Sequence, residues 1–167
     1  MTTITQASEP NDFKEASKLT KEYLEWANIQ SKEYFKETLD IDAMLAYSLA
    51  QTDQYLPPKG RLLLAKVDSE FAGIAFLKRL SDTACEIKRM FVRPGYRGKK
   101  IGYNLMEKLI SDAKESGYSE IKLDSANFMV KAHELYRVFG FKEIEIYPGS
   151  EVGEQFQKHM VFMGLDL

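Results

Sequence analysis

Three apolar runs in the middle of the chain constrain its fold more than any other feature. The runs RLLLAKVD (61–68), EFAGIAFLKRL (70–80) and ACEIKRMFV (84–92) are separated only by short stretches rich in Ser, Asp, Thr and Glu. Connections this short join neighbouring antiparallel strands through hairpins. Residues 61–92 therefore predict a three-stranded antiparallel meander.

Helical patterns lie on both sides of this meander. Apolar residues recur at helical spacing after Pro10 and again from Ile101 onwards. The order of the elements predicts an α/β fold with a single mixed, mostly antiparallel sheet and helices on both faces, in one domain spanning residues 1–167. The expected strands outside the meander are 3–6, 119–125, 141–147 and 158–167, and the expected helices are 10–29, one or two within 31–50, 101–116 and 130–140.

Composition narrows the function. The formal net charge is −2, which argues against nucleic-acid binding by bulk electrostatics. A single cysteine, Cys85, leaves no intramolecular disulfide and no cysteine cluster for zinc. The start of the chain shows no secretory signal, and no run reaches the roughly 20 apolar residues of a membrane helix. We expect a soluble, cytoplasmic protein with neither membrane nor nucleic-acid partners.

The segment RPGYRGKKIG (93–102) joins the last strand of the meander to the next helix. It concentrates glycines and cationic side chains at a helix N-terminus, where free N–H groups and the helix dipole favour a phosphate. The same composition also fits a solvated basic turn. Neither a Walker A string nor the G-x-G-x-x-G spacing of a dinucleotide fold is present, since the glycines are Gly95, Gly98 and Gly102.

Two segments resemble a known family. RGKKIG, preceded by MFVRPGY, resembles the acyl-CoA signature Q/R-x-x-G-x-G/A of the GNAT superfamily of N-acetyltransferases, with Arg97 and Gly102 at its ends. Lys100 stands at the position of the middle glycine, and we expect it to keep the main-chain chemistry with a negative φ. AHELYRVFGF (132–141) resembles the A-x-x-L-Y-x-x-x-G-F segment, with Tyr136 at the tyrosine.

The resemblance implies an acyl-CoA N-acyltransferase fold and transfer of an acetyl group from acetyl-CoA to an amine, without a metal. It implies that Phe91 supplies a main-chain N–H to the thioester carbonyl, while Met90 and Val92 hold the pantetheine arm on a strand splayed from residues 119–125. Asn127 is a candidate for that arm, because Met129 stands where many members carry Asn. The implied cofactor contacts in the basic loop are Arg97, Gly98, Lys99, Lys100, Ile101 and Gly102.

The resemblance also assigns catalytic roles. Tyr136 would protonate the departing thiolate, since a phenol matches its basicity. Glu86, eleven residues before Arg97, would be the general base. It fits equally a salt bridge to Lys88 or Arg89, and water can deprotonate the amine instead. His133 is a weaker candidate base, expected to be solvated on its helix.

The acceptor cannot be identified from the sequence. Aromatic residues at 23–35 and an acidic loop with Glu151 and Glu154 are expected near the acceptor pocket. We expect these aromatics to be core and these acids solvated, although such a loop would attract a cationic amine. A non-catalytic acyl-CoA-binding or protein-interaction domain is the alternative function. We expect the protein to be a monomer or a homodimer.

Overall fold

The computed structural model describes all 167 residues. Two short 3₁₀ turns, Thr52–Tyr55 and Pro94–Tyr96, supplement the regular elements. The seven strands form one sheet in the order β1-β2-β3-β4-β5-β7-β6, which confirms the predicted fold class. The elements are β1 (Thr2–Gln6), α1 (Pro10–Phe35), α2 (Ile41–Ala50), β2 (Arg61–Val67), β3 (Glu70–Arg79), β4 (Ala84–Val92), α3 (Ile101–Glu115), β5 (Glu120–Ala126), α4 (Val130–Val138), β6 (Lys142–Ile144), α5 (Glu154–Gln157) and β7 (Met160–Asp166).

The meander is confirmed, because β2, β3 and β4 pair antiparallel in sequence order. Two predicted boundaries are wrong. Helix α1 continues to Phe35 and so takes in the start of the segment expected to form separate helices. Strand β6 ends at Ile144 rather than at residue 147, because the chain leaves the sheet there and buries Tyr147, whose hydroxyl bonds to a side chain of β4.

Helices cover the two faces of the sheet with separate apolar clusters. On one face, Leu19 of α1 packs over Leu64 and Ile74. On the other, Leu105 and the rest of the apolar stripe of α3 pack over the opposite side chains of the same strands. Period-2 alternation in the strands thus gives each helix its own core, and each fully buried Leu or Ile contributes about 1.5–3 kcal/mol.

Strands β4 and β5 are parallel neighbours that separate along their length. They pair only from Ala84 to Glu86 on β4, although β4 continues to Val92. The separation follows an extra residue in β4, where the register to β3 shifts and Arg89 takes a φ of 52°. Such a bulge bends the strand. The splay implied by the family resemblance is therefore present. None of the helices is long and apolar enough to cross a membrane.

Candidate active site

The splay between β4 and β5 opens into a cleft of about 680 Å³. Its floor consists of side chains from both strands, and its walls come from α1, α2, α4 and the segment 151–156, which includes the start of α5. The lining is mostly apolar. It includes Tyr23, Phe35, Met44, Phe128, Met129, Tyr136, Phe156 and Met160.

The N-terminus of α3 lies at the end of β4 and offers free donors. None of the backbone N–H groups of Lys100, Ile101, Gly102 and Tyr103 donates to a protein acceptor, and no side chain caps the helix. Lys100 has a φ of 59°, so the expected negative φ is wrong. The backbone adopts the left-handed conformation of a glycine even though a lysine stands there, so the main-chain geometry of the loop is retained at a conformational cost.

The cationic side chains of this loop face solvent rather than the core. Arg97 Nε donates to the Val92 carbonyl at 3.1 Å, and its guanidinium lies 5.7 Å from the centre of the Trp26 ring. Lys99 Nζ lies 5.3 Å from the centre of the Tyr96 ring. Gly98 has a φ of 78°, and the space where its Cβ would stand is open. These groups can receive an anion without rearranging the fold.

The free edge of β4 presents different donors from those expected. Arg93 N donates to Ala72 O at 2.9 Å, and Phe91 pairs with Ile74. Because N–H groups alternate along an antiparallel strand, the N–H of Phe91 faces β3, and its side chain is buried under α1. The expectation that Phe91 supplies the free N–H is therefore wrong. The bulge inserts one residue, so the N–H groups directed to the splayed edge are those of Met90 and Val92.

Tyr136 is one of the residues that line the cleft. It extends from α4 into the cleft lining and is 7% exposed. Burial raises the pKa of its phenol, and the nearby Tyr23 and Asp124 raise it further. The hydroxyl accordingly stays protonated and is available as a proton donor.

Five charged side chains form one cluster at the floor of the cleft. Lys88 Nζ lies 3.1 Å from Glu86, 3.2 Å from Asp124 and 3.7 Å from Glu151. Lys78 Nζ lies 2.6 Å from Glu151 and 3.8 Å from Glu86. Three carboxylates thus share two ammonium groups.

Glu86 is the innermost member of this cluster. It is 0% exposed and accepts a hydrogen bond of 2.8 Å from the Tyr147 hydroxyl. Of the two salt bridges considered for it, the one to Lys88 is present, whereas Arg89 forms none. Burial raises the pKa of Glu86, against the charge of Lys88 and the hydrogen bonds from Tyr147 and Lys88. The side chain does not line the cleft, so any proton reaches it only through its neighbours.

Glu151 and Asp124 are the acidic side chains that line the cleft. The expectation that Glu151 is merely solvated is wrong, since Tyr47 also donates to it at 3.1 Å. Burial alone would raise the pKa of Glu151, but the hydrogen bond from Lys78 and the charges of Lys88 and Lys78 outweigh it and lower the pKa. The sequence alone does not single out Asp124, because one acidic residue on a predicted strand forms no recognisable motif.

The aromatic residues of α1 are only partly core, contrary to expectation. Tyr34 is 58% exposed and stacks on Phe128 with ring centres 5.0 Å apart. Phe35 packs on the same ring at 5.3 Å. The aromatic cluster therefore forms a wall of the cleft as well as part of the packing.

Two weaker candidates are also placed by the structure. His133 is 4% exposed rather than solvated, and its Nε2 lies 3.0 Å from Ser125 Oγ. Burial lowers the pKa of this imidazole, and the charge of Arg137 lowers it further.

Asn127 is exposed in the turn after β5 and lies outside the cleft lining, whereas Met129 lines it. No group of three or more His, Cys, Asp and Glu side chains is arranged to hold a metal ion.

The chain is similar to known acetyltransferases. The sequence model of the acetyltransferase (GNAT) family matches residues 17–141. An uncharacterized N-acetyltransferase of Schizosaccharomyces pombe is 29% identical over 95% of this chain and 90% of its own length. A GNAT-family acetyltransferase of Staphylococcus aureus superposes with a TM-score of 0.76 at 24% identity, covering 100% of this chain and 99% of the other. An N-acetyltransferase of Thermoplasma acidophilum, solved in complex with coenzyme A, gives a TM-score of 0.72 at 21% identity, covering 100% and 99%.

Proposed function

The chain belongs to the GNAT acetyltransferase family, and we propose that it transfers an acetyl group from acetyl-CoA to the amine of an acceptor by direct attack in a ternary complex. The observation that carries this proposal is the splay of β4 from β5, which opens onto Tyr136. We further propose that the enzyme works in the cytoplasm, as a monomer or a homodimer.

Acetyl-CoA supplies an activated acetyl thioester. The free N–H groups of residues 100–103 are suited to its pyrophosphate, since a helix N-terminus stabilises a phosphate. Gly98 leaves the backbone open to close approach, and Arg97 and Lys99 add positive charge at the rim. The proposed loop contacts thus run from Arg97 through Ile101 to Gly102. Asn127, exposed in the turn after β5, stays a candidate for the outer part of the cofactor arm.

The free edge of β4 holds the pantetheine arm as if the arm were an added strand. Val92 offers its N–H there, while its carbonyl accepts the hydrogen bond from Arg97 Nε, and Met90 offers its N–H nearer the centre of the cleft. We assign to Met90 the polarisation of the thioester carbonyl, because a fixed donor aimed at developing negative charge lowers the barrier. Tyr136, kept protonated by burial, donates its proton to the departing thiolate.

The amine proton leaves on the acidic side of the cleft. Asp124 and Glu151 face the cleft and attract a cationic amine, and water bound beside them can accept its proton. Glu86 takes part as the general base only through such a relay, since Lys88 stands between it and the cleft. Burial raises the pKa of Glu86, which favours its transient protonation in such a relay.

A thermal melt followed by an amine screen tests this function. Acetyl-CoA at about 100 times its dissociation constant should stabilise the fold by roughly 2.7 kcal/mol, while ATP should not. The shift should shrink in Lys99→Ala, at the basic loop, and persist in Lys114→Ala, in the last turn of α3. Release of CoA in the presence of amines then measures turnover. A melting shift without turnover on any amine would favour a non-catalytic acyl-CoA-binding domain, and no shift would remove both functions.

A further inference from the structure

Arg89 lies in the cleft without a protein partner. Among all buried side-chain nitrogen and oxygen atoms, those that lack a hydrogen-bond partner are Arg89 Nε, Ser31 Oγ and Glu86 Oε2. Arg89 and Ser31 both line the cleft. The guanidinium forms no ion pair with any carboxylate of the chain. An unpartnered, partly buried cation is unfavourable, so this position calls for a ligand that supplies negative charge.

Arg89 reaches the cleft from the bulge in β4. Arg89 is the positive-φ residue of the bulge in β4, a conformation that is strained for a side chain other than glycine. Its neighbour Lys88 is surrounded by Glu86, Asp124 and Glu151. The acids of the cluster are therefore already engaged by lysines, and Arg89 stays free although it lies next in the chain.

We propose, on the basis of the acetyl transfer proposed above, that the acceptor carries a carboxylate which Arg89 binds. A guanidinium matches a carboxylate through two parallel N–H bonds. Ser31 Oγ, buried on α1 and also in the cleft lining, is a second polar atom without a partner. The acceptor amine then lies towards Asp124 and Glu151, the acidic side of the cleft.

The rest of the cleft specifies the remainder of the acceptor. Met44, Phe128 and Phe156 contribute apolar surface to its walls. A cleft that combines a cation, an acidic side and apolar walls is complementary to a zwitterion with an apolar side chain. The proposed substrate class is therefore the α-amino acids with a large apolar or aromatic side chain, acetylated on the α-amine.

Matched acceptors test this assignment. Phenylalanine, leucine and methionine are each compared with the corresponding amide and with the decarboxylated amine. The amide lacks the carboxylate but has the more easily deprotonated amine, so a preference for the acid would come from recognition and not from reactivity. We expect kcat/KM for the acid to exceed that for the amide by about 10- to 100-fold.

Variants of Arg89 identify the group responsible. Arg89→Met should lower kcat/KM for the acid to about that for the amide and so remove the preference for the acid, and Arg89→Lys should retain part of the preference. Arg79→Met, an exposed arginine paired with Asp82, is the matched control and should behave as wild type. The melting temperature of Arg89→Met should not fall, because the substitution removes an unpartnered, partly buried charge; a merely structural arginine would show a clear loss.

A binding measurement gives a readout independent of turnover. In the presence of CoA, the product N-acetylphenylalanine should bind more tightly than N-acetylphenylalaninamide, and Arg89→Met should abolish the difference. Equal kcat/KM for acids, amides and amines would overturn the carboxylate assignment while leaving amine acetylation in place. Absence of turnover on every amine despite a melting shift with acetyl-CoA would instead overturn the proposed function, and this inference with it.

Discussion

The hydroxyl of Tyr147 donates a hydrogen bond of 2.8 Å to Oε1 of Glu86, across 61 positions of the chain. Both side chains are buried, at 5% and 0% exposure. The bond ties the segment after β6 to the first part of β4, and it fixes the carboxylate on which Lys78 and Lys88 converge. The position of the charged cluster at the cleft floor thus depends on a residue far from it in sequence.

Removal of this hydroxyl should destabilise the fold. Tyr147→Phe leaves a buried carboxylate oxygen with one donor fewer, so we expect the free energy of unfolding to fall by about 1–2 kcal/mol. Urea denaturation measures the change. Tyr103→Phe, at a 38% exposed tyrosine, is the control and should stay within about 0.5 kcal/mol of wild type. Equal effects of the two substitutions would show that the Tyr147 bond contributes nothing.

The stability of the protein should depend on pH through Glu86. Because burial raises its folded pKa above the ordinary value of 4.5, the folded state holds this proton more tightly than the unfolded state. The stability that Glu86 contributes is therefore present below about pH 4.5 and is lost as the pH rises through the raised value. Wild type should lose stability relative to Glu86→Gln over this window and then level off. Chemical denaturation at a series of pH values measures the difference, and a flat difference would contradict the raised pKa.

Loss of the Tyr136 hydroxyl should separate chemistry from binding. Tyr136→Phe should lower kcat by at least about 100-fold, while acetyl-CoA still shifts the melting temperature as in wild type. In the wild type, kcat should show no alkaline limb from this phenol below pH 10, since burial raises its pKa above the ordinary 10.0. An unchanged kcat in the variant would transfer the acid role to water.

The backbone conformation of Lys100 should make glycine more stabilising than alanine at this position. With a φ of 59°, this lysine occupies the region that favours glycine. We expect the free energy of unfolding of Lys100→Gly to exceed that of Lys100→Ala by about 1 kcal/mol, even after the greater entropy of glycine in the unfolded chain is counted. The pair of variants isolates the backbone effect, because both remove the charge. Thermal or urea unfolding without acetyl-CoA provides the comparison, and a less stable glycine variant would contradict the assigned φ.

The local pattern of the sequence determined the elements and the motifs. The alternation in residues 61–92 and the spacing of apolar residues from Ile101 act over a few neighbouring positions, so the meander and α3 could be predicted. The single residue that β4 gains at Arg89 could not be predicted, because a bulge exists only in relation to the register of β3. That one residue moved the free N–H groups from Phe91 to Met90 and Val92.

Tertiary structure alone decided which charges meet. Glu86, Asp124 and Glu151 come from separate parts of the chain, and their sharing of Lys78 and Lys88 follows from packing of three strands and a loop. Burial, in turn, raises the pKa of Glu86, and the pairing of the nearby acids with lysines leaves Arg89 without a partner. Local sequence determines secondary structure because the forces involved are short-ranged along the chain, whereas the electrostatics of the cleft depend on which distant groups the fold removes from water together.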